Sequence, residues 1–242
     1  MNTTDIVTTV VLVVVCYLIG SIPTAYLAAR WLRGFDIRKS GSGTVGGANV
    51  WHSVSRKVGL AVIVVDLCKG VVGVLIARLI GAGPEGQVAA CVAAIVGHNW
   101  SVFLRFGGGR GIATLGGALL VLAPREVLAV AAIGAVIVVV TRSMPFCVLC
   151  AVALLPAVAW IFGQPVVVVV GCVLILFVVV LKRVLPRRRK EKGDWKHVFL
   201  YRLVFDRDVR SRDAWINRGT DELSGSGSRG KTRKKRQKDR SD

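Results

Sequence analysis

Hydrophobic residues fill this chain in long blocks that are separated by short polar stretches. The blocks are apolar all round rather than striped, which is typical of helices surrounded by lipid and not of amphipathic helices on a soluble core. A helix needs about 20 residues to cross a bilayer. We therefore predict an all-α polytopic membrane protein. The predicted spans are 6–32, 58–81, 87–105, 111–123, 127–141, 145–162 and 165–185.

The fourth and fifth blocks are short, and residues 111–140 also fit one long helix. The polar residues at 124–126 interrupt that stretch, and the distribution of basic residues among the loops favours two spans. With two spans, the basic loops at 33–57 and 105–110, Arg142 and the basic C-terminal region fall on one side. Because basic loops stay in the cytoplasm, we predict seven transmembrane helices with the N-terminus outside and the C-terminus cytoplasmic. The first block lacks a basic leader and exceeds a signal-peptide core, so we expect it to be retained.

Composition and charge agree with this topology. Hydrophobic residues make up 53% of the 242 residues and the mean hydropathy is +0.60, too apolar for a soluble domain. The net charge of +19 is concentrated at 182–242, which hold 21 Lys/Arg against 9 Asp/Glu. We predict a membrane domain at 1–185, a cytoplasmic juxtamembrane segment at 186–218 that fits a helix lying on the membrane, and a disordered basic tail at 219–242. Anionic lipid headgroups are the expected partner of the tail, and nucleic acid is not expected.

All six cysteines lie in apolar blocks. Cys147 and Cys150 match C-x-x-C, yet no βαβ pattern and no further ligand pair accompanies them. We interpret them as small apolar residues of a buried helix.

The loop at 34–57 is the first candidate for chemistry. Its glycines allow tight backbone turns, its hydroxyl and amide groups offer hydrogen bonds, and its basic residues offer charge. Flexible linkers are also rich in Gly and Ser, but a loop of this length between two spans favours an ordered functional segment. Its candidate residues are Arg38, Gly41, Ser42, Gly43 and Asn49.

A pair of opposite charges lies inside the second block. Asp66 and Lys69 are three residues apart, so a helix places both on one face. Charges at this depth are costly and normally face a bundle interior in pairs. Two interpretations stay open: a structural ion pair, or a site in which Lys69 attracts an anionic substrate and Asp66 holds it in place.

A glycine-rich run from Gly107 to Thr114 follows His98 at the start of the next predicted helix. Glycines at a helix start leave bare backbone N–H groups that an anion can approach. Arg110 adds a fixed charge and Thr114 a hydroxyl one turn later, so we predict a phosphate site here. Histidine has an unperturbed pKa of about 6.5, which makes His98 the candidate general base, with a hydrogen-bonded structural histidine as the alternative.

The motifs within 17–117 form two groups whose order and spacing are specific. The first group is Gly20-Ser21-Ile22-Pro23, Asp36-Ile37-Arg38, Gly41-Ser42-Gly43, Asn49 and Asp66-x-x-Lys69-Gly70. The second is Gly97-His98, Phe106 and Gly108-Gly109-Arg110-Gly111-Ile112-Ala113-Thr114. Together they resemble the two main conserved regions of the bacterial membrane acyl-phosphate:glycerol-3-phosphate acyltransferases of the Y type. Outside 17–117 the resemblance rests on hydropathy.

The resemblance implies a seven-helix fold with its motifs on the cytoplasmic side of the bacterial inner membrane. It also implies a reaction, the transfer of an acyl group from acyl phosphate to the 1-hydroxyl of glycerol 3-phosphate, which gives lysophosphatidic acid for phospholipid synthesis. Acyl phosphate is already activated, so no metal or other cofactor is implied, and catalysis would rest on positioning two anions and stabilising developing charge. A soluble enzyme that supplies acyl phosphate is a further implied partner.

In that family the first region serves the chemistry and the second binds glycerol 3-phosphate. The catalytic candidates that follow are Ser42, Asn49, His52, His98 and Arg142. The substrate-binding candidates are Arg38, Gly41, Gly43, Asp66, Lys69, Gly107, Gly108, Gly109, Arg110, Gly111 and Thr114.

The chain departs from the usual pattern of the family, which marks it as a divergent member. Thr44 stands for an Asn, His52 for an Arg, Arg110 for a Lys and Pro145 for a Ser, and the closing His, Asn and Glu have no match. In an active acyltransferase, His52 or His98 and Arg142 would replace the missing groups. The alternatives are an impaired paralogue that binds a phosphate ester or lipid precursor, and a small-anion transporter, although the internal repeat common in transporters is lacking.

Overall fold

The computed structural model describes residues 3–185 and 195–206, which are helical apart from turns and a β-bridge between Ser101 and Gly107. The predicted all-α class is therefore confirmed. Short 3₁₀ turns lie at Ile37–Lys39 and Val102–Leu104. The helices are α1 (Thr3–Ser21), α2 (Thr24–Arg33), α3 (Gly47–Ser53), α4 (Arg56–Leu79), α5 (Pro84–Asn99), α6 (Ile112–Leu122), α7 (Pro124–Thr141), α8 (Met144–Ile161), α9 (Val166–Val184) and α10 (Trp195–Phe205).

Five segments of the described chain are long and apolar enough to cross a membrane. α5 and α6 stand at two further predicted spans but contain only 16 and 11 residues. At about 1.5 Å per residue they are shorter than a hydrocarbon core of about 30 Å. Seven crossings and the orientation of the termini therefore stay predictions. The five long segments are Asp5–Arg33, Arg56–Leu79, Pro124–Thr141, Met144–Ile161 and Val166–Val184.

The first predicted span, 6–32, is not one continuous helix. α1 ends at Ser21 and α2 begins at Thr24, with Pro23 between them. Proline has no N–H to continue the helical hydrogen bonds. The break frees the Ile22 carbonyl, which accepts a hydrogen bond from a side chain of α4.

Two other predicted boundaries have different outcomes. The span predicted at 87–105 ends early, because the helix stops at Asn99 and the chain turns, with positive φ at Arg105 and Phe106. The polar step after Ala123 does separate α6 from α7, so the single long helix over 111–140 is excluded.

Small residues bring the helices that carry the conserved motifs into backbone contact. A Cβ atom on Gly97 of α5 would lie 3.0 Å from the Ser21 nitrogen of α1, and one on Gly70 of α4 would lie 2.6 Å from the Ala118 nitrogen of α6. Close approach of this kind drives helix association in lipid, where the hydrophobic effect between helices is absent. The consequence is a tight α1–α4–α5–α6 group that fixes the site.

α10 packs against α8 and α9, within the predicted juxtamembrane segment. Arg183 at the end of α9 donates a 2.9 Å hydrogen bond to the Leu203 carbonyl of α10. The remainder of that segment, 186–194 and 207–218, and the tail at 219–242 lie outside the described residues, so the division into three parts stays a prediction.

All six cysteines are free. Cys147 is buried in α8 and its thiol lies 3.0 Å from the Gly134 carbonyl of α7, and Cys150 is half-buried. Both residues are part of a helix, as the sequence predicts.

Candidate functional site

A buried polar cluster joins the break after α1 to α4 and α5. Asp66 and Lys69 form an ion pair of 2.6 Å with 2% and 4% of their side chains exposed. Lys69 also donates to the Ile22 carbonyl at 2.6 Å and the Thr24 hydroxyl at 3.1 Å, which use the three protons of its ammonium group. Thr24 in turn donates to Asp66 at 2.6 Å. These contacts favour the structural interpretation of the pair, since Lys69 has no proton left for a substrate.

The cluster also holds His98. Its Nδ1 lies 3.7 Å from the Asp66 carboxylate oxygen that pairs with Lys69, and 8% of the His98 side chain is exposed. The other ring nitrogen, Nε2, faces the backbone of Gly109. One nitrogen of the imidazole therefore lies near Asp66 and the other faces the glycine-rich turn.

Asn49, on α3, organises the loop at 34–57. Its Oδ1 accepts from the Ser42 N–H at 3.2 Å, and the residue is 4% exposed. These bonds use its hydrogen-bonding capacity, which favours a role in positioning the loop. The predicted catalytic role of Asn49 stays a prediction. Its NH2 group donates to the carbonyls of Ile37, Ser40 and Thr44 over 3.0–3.2 Å.

The glycines of this loop allow its tight backbone turns. Gly41 and Gly43 have φ of +55° and +68°, values that residues with a Cβ adopt at a cost. Between them, Ser42 places its hydroxyl 2.7 Å from that of Thr44. Thr44 therefore supplies a direct partner to the candidate serine.

Arg38 is held at the start of the loop by Asp36. Two guanidinium nitrogens contact the Asp36 carboxylate over 2.7–3.1 Å, and the guanidinium also lies 5.2 Å from the centre of the Tyr26 ring. The hydrogen bond from Arg38 lowers the pKa of Asp36 below its ordinary value of 3.8. The pair is half-buried, so Arg38 presents a largely neutralised charge.

The glycine-rich run packs its backbone on the C-terminal end of α5. A Cβ on Gly108 would lie 2.5 Å from the Asn99 carbonyl oxygen, and one on Gly109 would lie 2.5 Å from the Val45 carbonyl oxygen. The N–H groups of Gly107 and Gly109 donate to the carbonyls of Leu104 and His98, both at 3.1 Å. The expectation of bare N–H groups is therefore wrong for these two glycines, which are needed for close contact.

A small cleft lies where the two motif groups meet. Its walls include Thr24 from the helix break, Val45 from the first loop, His98 from α5 and Gly108 from the turn. The fold thus brings the two predicted regions to one place.

The last two candidates of the run lie deeper. Gly111 has φ of +69° and directly precedes α6, and a Cβ there would lie 2.8 Å from the Asn99 side-chain oxygen. Thr114 is fully buried, its backbone packs against Gly70, and it is not among the residues that line the cleft.

Arg110 points to the C-terminal part of the chain. Its guanidinium forms an ion pair with the Asp206 carboxylate and donates to the Asp206 carbonyl at 2.9 Å. Two neighbouring cations come from the end of α9. Lys182 donates to the Asn99 carbonyl and lies 4.8 Å from the centre of the Trp100 ring, and Arg183 donates to the Pro145 carbonyl at 2.8 Å.

Sequence reasoning missed Lys182 and Arg183 as members of the site. It placed them at the end of the predicted span 165–185 and counted them among the basic residues of 182–242. Two charged residues within the last turn of an apolar span, where charge is costly, were the available signal.

No contact of the His52 or Arg142 side chain with another candidate residue is seen in the described part of the chain. His52 is exposed on α3, and Arg142 is exposed at the turn between α7 and α8 with φ of +51°. Within the described residues, neither side chain makes a hydrogen bond or ion pair. Their predicted catalytic roles therefore stay predictions.

Known proteins resemble this chain in sequence and fold. The family described as glycerol-3-phosphate acyltransferase matches residues 10–189. Glycerol-3-phosphate acyltransferase 5 of Dehalococcoides mccartyi is 38% identical over 220 residues, which cover 87% of this chain and 94% of that protein. Glycerol-3-phosphate acyltransferase 2 of Moorella thermoacetica is 46% identical over 152 residues, 63% of this chain and 78% of that protein.

A solved structure agrees with these relatives. The crystal structure of PlsY, an integral membrane glycerol 3-phosphate acyltransferase, in its glycerol 3-phosphate form is 29% identical and aligns with a TM-score of 0.67. The alignment covers 73% of this chain and 88% of PlsY. The chain is a multi-pass membrane protein and belongs to the glycerol-3-phosphate acyltransferase family.

Proposed function

We propose that this acyltransferase moves an acyl group from acyl phosphate to the 1-hydroxyl of glycerol 3-phosphate, giving lysophosphatidic acid and inorganic phosphate. The observation that carries the proposal is the glycine-rich turn. It packs against the His98 ring and carries Arg110, so the segment that bears a fixed cation is in contact with the candidate base. The names of the relatives and of PlsY support glycerol 3-phosphate as the acceptor.

The chemistry needs two bond changes and one proton transfer. The acceptor oxygen attacks the carbonyl carbon of acyl phosphate, the bond from that carbon to the phosphate oxygen breaks, and phosphate leaves. His98, whose Nδ1 lies 3.7 Å from Asp66, is the proposed base that accepts the hydroxyl proton at Nε2, the nitrogen that faces the turn. Arg110 is the proposed ligand for the phosphate of the acceptor, since a guanidinium binds phosphate oxygens in pairs.

The remaining roles follow from the geometry. Ser42, with Thr44, is the hydroxyl pair that the first loop presents, and Asn49 and the loop glycines hold the loop in shape. We assign Lys182 a supporting role as a cation beside the turn. It donates a hydrogen bond to the Asn99 carbonyl, and Gly108 of the turn packs against the same carbonyl.

The predicted topology belongs to this proposal. Seven crossings with a cytoplasmic C-terminus would put α9's basic end, the turn and the first loop on the cytoplasmic side of the bacterial inner membrane. There the site would meet soluble glycerol 3-phosphate, acyl phosphate from a soluble enzyme, and anionic headgroups that bind the basic tail.

The test is an acyl-transfer assay with the full chain in detergent. Acyl phosphate and glycerol 3-phosphate are supplied, and phosphate release and lysophosphatidic acid are both measured. We expect turnover that Arg110→Gln abolishes and Arg110→Lys partly keeps. Arg125→Gln removes an exposed arginine at the start of α7 and should have no effect. An Arg110→Gln variant with unchanged kinetics would refute the role of the turn.

Binding without turnover would instead favour the impaired paralogue. Calorimetric titration of glycerol 3-phosphate into the wild-type protein separates that outcome from a protein that binds nothing. Uptake of the labelled phosphate ester into sealed vesicles would favour the transporter alternative.

A further inference from the structure

The C-terminal end of α10 contacts Arg110 as an anionic ligand would. The Asp206 carboxylate pairs with the guanidinium, and the Asp206 carbonyl accepts a second hydrogen bond of 2.9 Å. Asp206 is 4% exposed, although α10 has exposed side chains such as Leu200 at 57%. The guanidinium donors engaged here are of the type that bind a phosphate group.

A second arginine holds the same end of the helix. Arg183 donates to the Leu203 carbonyl at 2.9 Å. The last carbonyl groups of a helix lack helical partners and carry partial negative charge. The negative end of α10 therefore contacts two arginines, one of which, Arg110, belongs to the glycine-rich turn.

We propose that α10 and Asp206 form an autoinhibitory cap, a built-in competitor for the anionic substrate at Arg110. The inference rests on the proposed function, in which Arg110 binds the phosphate of glycerol 3-phosphate. The cap and the substrate exclude each other at the guanidinium. The phosphate monoester carries more negative charge than one carboxylate, so a sufficient substrate concentration releases the cap. The apparent affinity is then reduced by the fraction of molecules in which Arg110 is uncovered.

The variant that tests the cap is Asp206→Asn in the full chain. It keeps the size of the side chain and removes its charge. We expect the KM and the calorimetric Kd for glycerol 3-phosphate to fall about fivefold or more, because the uncovered fraction rises, while kcat changes less than twofold. Glu85→Gln is the matched control, since it removes an exposed carboxylate at the start of α5 and should change neither constant.

Trypsin digestion supplies a readout that does not depend on turnover. Because coupling between two ligands is reciprocal, glycerol 3-phosphate should speed cleavage at Arg202 of α10 in the wild type. In Asp206→Asn cleavage should be fast with or without it. The thermal midpoint of each variant is measured as well, so that a general loss of folding is recognised.

These experiments distinguish failure of the cap from failure of the proposed function. If Asp206→Asn raises KM or leaves it unchanged, or if glycerol 3-phosphate leaves cleavage at Arg202 unaltered, the cap is refuted and Asp206 is a residue that positions Arg110 or the helix. If Arg110→Gln leaves binding of glycerol 3-phosphate unchanged, the proposed function of the turn fails instead.

Discussion

Gly108 offers the sharpest test of the site geometry. A Cβ added to Gly108 would lie 2.5 Å from the Asn99 carbonyl oxygen and 2.7 Å from the Asn99 carbonyl carbon. Both are backbone atoms, so no side-chain rotation relieves the contact. Ordinary van der Waals contact starts at 3.4 Å, so Gly108→Ala must push the turn away from α5 by about 1 Å.

The size of the effect follows from that displacement. Overpacking costs about 1–3 kcal/mol of stability, which the lower entropy of the unfolded alanine chain offsets by about 0.4–1 kcal/mol. A shift of about 1 Å in a reacting group can cost about 100-fold in rate. We therefore expect Gly108→Ala to lose about 1–2 kcal/mol of stability and about 100-fold in kcat/KM.

Two other glycines of the same region make a graded control. A Cβ on Gly107 would lie 3.1 Å from the Leu104 carbonyl oxygen, a contact that a small shift relieves, and one on Gly116, inside α6, would meet no described atom within 4 Å. Gly116→Ala should gain about 0.5–1 kcal/mol, as alanine does in a helix interior. Thermal unfolding in detergent and the acyl-transfer assay rank the three variants. Wild-type activity in Gly108→Ala would refute the tight contact between turn and helix.

Three further predictions concern the cluster and the first loop. Asp66→Ala leaves the buried Lys69 charge unpaired and should lower the free energy of unfolding by about 3–5 kcal/mol. The double variant Asp66→Ala with Lys69→Met should recover most of this loss in thermal unfolding. No recovery would contradict the pairing. Asn49→Ala removes the partner of several loop groups at about 1 kcal/mol each, so hydrogen exchange across the loop should quicken, and unchanged protection would argue against its positioning role. Because the folded pKa of Asp36 lies below 3.8, its contact with Arg38 stabilises the fold above that pH and is lost as pH falls through the lowered value. Arg38→Gln should therefore reduce the loss in free energy of unfolding that the wild type shows at acid pH. An identical loss in both proteins would count against the pair.

The helices were predictable because their signal is local. Uniformly apolar blocks and a polar step after Ala123 are enough to separate α6 from α7. The break at Pro23 was visible as a residue without an N–H, yet the unbroken apolar character of 6–32 concealed it. Apolarity reports the lipid environment of a segment and does not report whether its backbone is continuous.

The site was predictable only in part, because the role of a residue depends on contacts far along the chain. Motif spacing located His98 and Arg110 in one region. It did not reveal that the Lys69 ammonium is already satisfied by Ile22 and Thr24, 47 and 45 residues away. The partner of Arg110, Asp206, is 96 residues distant and belongs to a segment that composition describes only as basic and aromatic.

The shortness of α5 and α6 has a consequence for the proposed reaction. Their 16 and 11 residues flank the glycine-rich turn, and at about 1.5 Å per residue α6 rises only about 17 Å, roughly half of a hydrocarbon core. If both helices cross, the turn between them lies below the membrane surface rather than in open water. That depth suits a transfer between an acyl chain in the bilayer and a soluble phosphate ester. It also gives a reason for glycine at Gly108 and Gly109, since a turn recessed among helix ends must pack its backbone directly on them. A nitroxide on Phe106→Cys, in a background lacking the native cysteines, would report the depth by its relaxation with oxygen and with a water-soluble nickel complex. Full access to the nickel complex alone would place the turn in water and refute this account.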